Sequence, residues 1–219
     1  MTAELLLSPD TLPLRAEDTI ANAFELLAEF RVRHLPVVHE KQLLGVVSEI
    51  QLTHELDWDK KLGELILPLP VTILPGLHAY EVAKLMHDHN LTTIPVVDED
   101  GHYVGLVERK QLYDLFCRLL GVEQTGAILV LDVQSIRDYS PARIAYLIEQ
   151  TDAKILSLVS EPHPEGYWKV ILKLNVTETA RIRHVLAHHG YQVAGDFRPE
   201  AENEELQHRV EAFLRYLEV

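Results

Sequence analysis

Apolar and polar positions in the first half of this chain write one pattern twice. From His34 to Leu52 the sequence reads HLPVVHEKQLLGVVSEIQL, and from Thr93 to Leu112 it reads TIPVVDEDGHYVGLVERKQL. Pro36 and Pro95 stand 59 residues apart, and Gly45 and Gly105 stand 60 apart. One residue has been added in the polar turn between two apolar runs, where a loop tolerates it. A repeat of this length is one supersecondary unit used twice.

Each copy divides into four parts. A short extended segment comes first, Thr11 to Leu14 and Val71 to Leu74. An amphipathic helix follows: Ile20, Ala23, Phe24, Leu27 and Phe30 recur at helical steps behind the start residues Asp18 and Thr19. In the second copy Tyr80, Ala83 and Met86 trace the apolar line, with Val82 and Leu85 beside it. Two short β-branched runs across a polar turn, His39 to Gln42 and Asp98 to Gly101, then predict a hairpin. Proline cannot donate to a ladder, so Pro36 and Pro95 belong at a strand start or an edge. A second helix closes each copy, from Ser48 and from Glu108.

After Val122 the pattern changes. Gly126–Val133 predicts a strand, Pro141–Gln150 a helix, Lys154–Ser160 and Tyr167–Asn175 two paired strands, and Tyr191–Phe197 a last strand. Between these, a helix opens at Thr177 and ends at Gly190. The order β-α-β-β-α-β is that of a ferredoxin-like domain. From Glu200 to Val219, Leu206, Val210, Phe213 and Leu217 form a stripe of helical spacing. Such a helix docks on its own domain or pairs with another subunit.

Composition narrows the function. With 47% hydrophobic and 25% charged residues, the chain is of ordinary globular make-up. It has no run of 18 apolar residues, and MTAELLLSPDT has no secretory pattern. Cys117 is the single cysteine, which excludes an internal disulfide and fits a reducing cytoplasm. The 34 acids against 20 bases give a formal charge of −14, without a Lys/Arg cluster. Nucleic-acid and membrane-surface binding are therefore not expected.

The doubled β-α-β-β-α order, the repeated h-P-V-V and the following G-h-h-x-x-x-x-L resemble a tandem pair of CBS domains (a Bateman module). The ferredoxin-like remainder is similar to an ACT domain, as in acetoin-utilisation-type CBS-ACT proteins. The implied fold class is α+β: a CBS pair with pseudo-two-fold symmetry, an ACT-like domain and a C-terminal amphipathic helix. The expected limits are 1–60 and 61–121 for the two CBS domains, 126–198 for the ACT-like domain and 200–219 for the helix.

The resemblance also implies a ligand and its contacts. CBS domains usually take an adenine nucleotide (AMP, ADP or ATP) at G-h-h-[S/T]-x-x-D, where the hydroxyl and helix start face phosphate and the acid holds the ribose. Here the first copy reads Gly45-Val-Val-Ser48-Glu-Ile-Gln51. Ser48 matches, and Gln51 replaces the acid. The second reads Gly105-Leu-Val-Glu108-Arg-Lys-Gln111, with a carboxylate in the hydroxyl's place. Two like charges about 4 Å apart repel by about 4 kcal/mol at an effective dielectric near ~20, enough to offset most of a micromolar affinity. Further contacts by resemblance are Leu12, Pro13, His34, Leu35 and Pro36 in the first copy, and Val71, Thr72, Thr93, Ile94 and Pro95 in the second. Each of these is equally explained by packing, and Ser48 by helix capping.

Other chemistry finds less support. His184 and His188 are four apart and His87 and His89 flank Asp88, but neither group has the further ligands that zinc needs. GxSxG and phosphate-loop motifs are absent, and Cys117 lies in an apolar helix end. The 134–141 loop lacks the glycine with which ACT domains approach an amino acid. The sequence therefore predicts no catalytic residue, no metal and no bound cofactor. It predicts a non-catalytic, cytoplasmic, homodimeric sensor of a small ligand, acting on a regulated protein partner. The alternative is a structural or interaction module with degenerate clefts.

Overall fold

The computed structural model describes residues 1–199, so the stripe at 206–217 and the expected 200–219 helix lie outside the described residues. The chain divides into two compact units, Met1–Leu115 and the remainder from Phe116.

In the first unit, the first copy takes the expected order, and the second takes it except that its incoming segment makes only the single bridge of Ile73 to Val96 in place of a strand. The first comprises β1 (Leu14–Arg15), α1 (Ile20–Glu29), β2 (His34–His39), β3 (Gln42–Ser48) and α2 (Glu49–Thr53). The second comprises α3 (Ala79–Asp88), β4 (Thr93–Val97), β5 (Tyr103–Glu108) and α4 (Arg109–Leu119). Thr19 caps α1 by accepting the Asn22 N–H at 3.2 Å, which spares one unpaired helix-end donor. Arg31 and Asn90 leave α1 and α3 at equivalent points, both in the left-handed region with φ of 55° and 51°. The two hairpins share one register: Val37 opposite Gly45 with a bulge after it, and Val96 opposite Gly105 likewise. Each proline is the third residue of its strand, not the first. It stands just before the ladder to the incoming segment, Leu14 with Val37 and Ile73 with Val96. Its missing donor thus costs that ladder nothing.

The buried face of α3 differs from the expected line. Ala79, Val82 and Met86 are buried, whereas Tyr80 is 61% exposed and packs edge-on against His78, with ring centroids 5.3 Å apart. Steps of three and four from Ala79 select that face; Tyr80 lies about 100° around the helix from it.

The connecting segments are exchanged between the copies. Leu67, from the linker after copy one, packs on Gly45 of copy one. Leu7, its counterpart at the N-terminus, packs on Gly105 of copy two, bridges Val107, and leads into Ser8, whose N–H donates to Leu106 O at 2.8 Å. Leu106 in turn belongs to the core of copy one, with Leu14, Ile20, Leu35, Val47 and Leu62. The two copies therefore share one apolar interior.

The second unit holds β6 (Ile128–Val133), α5 (Pro141–Glu149), β7 (Ile155–Pro162), β8 (Trp168–Leu174), α6 (Ala180–His188) and β9 (Gln192–Phe197). Its sheet runs β7-β8-β6-β9, and every neighbouring pair is antiparallel. Leu129, Leu131 and Val133 of β6 meet Ile144, Leu147, Ile148, Ile182 and Leu186 of the two helices. Ser140 caps α5 by accepting the Arg143 N–H, with Pro141 as the first helical residue. Helix α6 begins at Ala180 rather than Thr177; at its N-cap the Thr179 hydroxyl makes no capping bond and donates to Asp196 at 2.8 Å.

Candidate ligand clefts

The ends of the two hairpins create two comparable sites. In β2 and β3 the register sets His34 opposite Ser48; in β4 and β5 it sets Thr93 opposite Glu108. The strand-start and helix-start residues named from sequence are thus neighbours in both copies.

The first cleft, about 360 Å³, is lined by Arg33, His34, Ser48, Glu49, Ile50, His89, Asn90, Thr92 and Arg109. Ser48 has extended backbone, and its Oγ accepts the Gln51 N–H at 3.1 Å. Its helix, α2, has only five residues, so a macrodipole adds little and the positive charge here comes from Arg33 and Arg109. The Arg109 guanidinium is positioned by Leu91 O at 2.7 Å, and its own N–H donates to Thr92 O at 2.9 Å. His34 Nδ1 lies 3.1 Å from the Thr92 hydroxyl, which itself accepts the Arg33 N–H at 2.9 Å. Burial, and then the charges of Arg109 and Arg33, hold the His34 imidazole below its ordinary pKa. Its neutral form presents one acceptor and one donor.

The second cleft, about 540 Å³, is lined by Ser8, Asp10, Thr11, Glu29, Phe30, Arg31, Val32, Thr92 and the run Glu108 to Gln111. Its chemistry is already engaged. Glu108, only 8% exposed, accepts the Ser8 hydroxyl at 2.5 Å and the Thr11 hydroxyl as well. Gln111 Oε1 accepts the Glu108 N–H at 3.2 Å, the back-bonding half of a capping box.

Of the residues named from sequence, His34 and Ser48 line the first cleft and Glu108 and Gln111 the second. Gln51 is half-buried beside Ser48. Leu35, Pro36, Ile94 and Pro95 are buried in the strands, and Thr93 spends its hydroxyl on His34 O at 2.7 Å. Leu12 is exposed, Pro13 and Val71 are half-buried, and Thr72 borders a separate cavity beside Leu74 and Leu85. Sequence reasoning missed Arg33, His89, Asn90, Thr92 and Arg109, because it sought each cleft within one copy. Their signal was their position: Thr92 and Arg33 both immediately precede a Pro-Val-Val strand.

Among the described residues, one trio of metal-type ligands lies together: Asp98, Asp100 and His102, with ligand atoms within 4.8 Å of one another. Asp98 already accepts the N–H groups of Asp100 and His102 and so closes the hairpin turn. The described residues contain no helix long and apolar enough to cross a membrane.

The CBS domain family model matches residues 3–57 and 62–117. The chain belongs to the CBS-domain family. It is 31% identical over 105 residues to inosine-5'-monophosphate dehydrogenase of Helicobacter pylori, covering 47% of this chain and 22% of that protein. The chain thus spans about a fifth of the length of the curated relatives it matches. What it shares with them is the CBS region and not the catalytic domain. Among solved structures it resembles an acetoin utilization protein (AcuB) of Vibrio cholerae, at 24% identity and a TM-score of 0.50, covering 56% of this chain and 95% of that one. A structure of CBSX2 in complex with AMP matches at 26% identity and a TM-score of 0.46, covering 56% and 98%.

Proposed function

We propose that this protein is a cytoplasmic, homodimeric sensor whose first cleft binds an adenine nucleotide and whose ligand state is passed to a protein partner. The proposed limits are CBS domains at 1–60 and 61–121 related by an approximate two-fold, and an ACT-like domain at 126–198. The observation that carries the ligand reading is the meeting of Ser48, His34, Arg33 and Arg109 in one cleft, with cations drawn from both copies. A hydroxyl, a neutral imidazole and two guanidinium groups suit a phosphorylated, hydrogen-bonding ligand. Binding that draws on both copies also favours one arrangement of them, as a sensor requires.

The second cleft supports the rival reading of a degenerate site, since Glu108 and Gln111 are both committed within the chain. The two readings can hold together, one cleft for each. Calorimetric titration with AMP, ADP and ATP tests this. One equivalent should bind the wild type, and Ser48→Glu should abolish it by setting a carboxylate against phosphate. A binder at a hundredfold excess over Kd should add about 2.7 kcal/mol of stability. Unchanged binding by Ser48→Glu would overturn the assignment.

A further inference from the structure

Glu108 is a buried carboxylate whose oxygen is shared by two hydroxyls from residues about a hundred positions earlier in the chain. Ser8 Oγ also accepts the Thr11 N–H at 3.3 Å, so the three side chains form one knot. Around it, Leu7 pairs with Val107 and fills the space over Gly105, and the Ser8 N–H is bound by Leu106. The segment 8–11 therefore forms part of the wall of the second cleft, with the Ser8 and Thr11 hydroxyls on the acidic group.

We propose that residues 8–11 are a strap along the wall of the second cleft, latched by Glu108, and that the latched carboxylate closes the cleft to anions until it is released. In this knot the chain's own hydroxyls take up an oxygen of the carboxylate that stands at the phosphate-facing position. A hydrogen bond to a charged acceptor is stronger than a neutral one, and here two converge on one carboxylate shielded from water. Between the anchored residues 1–6 and the buried Leu14, the rest of the hold on residues 7–11 is the Leu7–Val107 bridge, the Ser8 N–H bond and the Leu7 side chain. Loss of the carboxylate should therefore free residues 7–11 while leaving the hairpins intact. The latch stands apart from the nucleotide reading; only its consequence for anion binding rests on that reading.

Hydrogen exchange on the full chain, read by mass spectrometry, tests the latch directly. In Glu108→Ala, and independently in the milder Ser8→Ala, peptides covering residues 7–11 should exchange about tenfold faster. Peptides from β2, β3 and α1 should keep their rates. Unchanged exchange at 7–11 would overturn the latch. So would an equal rise across residues 1–115, which would make Glu108 an ordinary interior partner. Titration with adenosine monophosphate then reads the consequence: Glu108→Ala should bind one equivalent more than wild type. Local loosening without that extra equivalent, where wild type binds one, would overturn the exclusion of anions. Local loosening where neither protein binds nucleotide would sink the nucleotide reading and leave the latch standing.

Discussion

The backbone carbonyl of His34 accepts the hydroxyl of Thr93 at 2.7 Å, and these two residues hold the same position in the two sequence repeats. Beside them Thr92 accepts the N–H of Arg33, its own counterpart. The hairpin turns also meet, the Tyr103 N–H donating to Lys41 O at 2.8 Å. Equivalent points thus touch at both ends of the strands. The seam between the copies is where the first cleft's two arginines come together.

A single copy should not fold. Residues 1–60 lack Leu62, Leu65 and Leu67, which complete their core, and retain Leu7, whose seat is on Gly105 of the other copy. Circular dichroism of that fragment should show no cooperative melt, whereas residues 1–120 should melt as one transition. A soluble, cooperatively melting fragment 1–60 would refute the shared interior.

Gly45 should tolerate no side chain. A Cβ there would press on the Leu67 Cβ and lie 3.2 Å from Pro68 O, neither of which is the free end of a flexible chain. Gly45→Ala should cost about 1–3 kcal/mol by overpacking. Gly76→Ala, which meets nothing within 4 Å, should be close to neutral. Urea unfolding of the two variants checks the contrast.

Stability should fall on acidification through His34. Its pKa is depressed below the ordinary value of 6.5 by burial and by Arg109 and Arg33, so the folded state takes up its proton later than the unfolded chain does. The contribution is complete above 6.5 and is lost as pH drops below that value toward the depressed pKa. Melting temperatures followed from about pH 8 to about pH 5 should decline less steeply in His34→Gln than in wild type. Parallel curves would refute this.

The protein should be a dimer in solution. Leu56, Ile66 and Leu69 of the 54–70 segment are 100%, 96% and 98% exposed, and Ile50 of α2 is 71% exposed. That much fully exposed aliphatic surface marks an interaction site. Sedimentation equilibrium at micromolar concentration should give twice the 25.0 kDa chain mass, and Leu56→Glu with Leu69→Glu should shift it toward monomer. A wild-type monomer across that range would count against pairing.

What the sequence determined by itself was local and periodic. The repeated Pro-Val-Val and glycine-containing runs specify two hairpins, because two β-branched runs across a polar turn pair with each other. Thr19 and Ser48 announced their helix starts, since a cap acts within three residues. The β-α-β-β-α-β order of the second unit was legible for the same reason. Tertiary structure alone decided which copy each linker would serve, because Leu7 and Leu67 look alike in sequence and differ only in which glycine they reach. It also decided the clefts' membership: Arg109 joins Ser48 and His34 across the seam, and Ser8 and Thr11 close on Glu108 across about a hundred residues. Contacts of that range depend on how the copies dock, and no local spacing encodes docking.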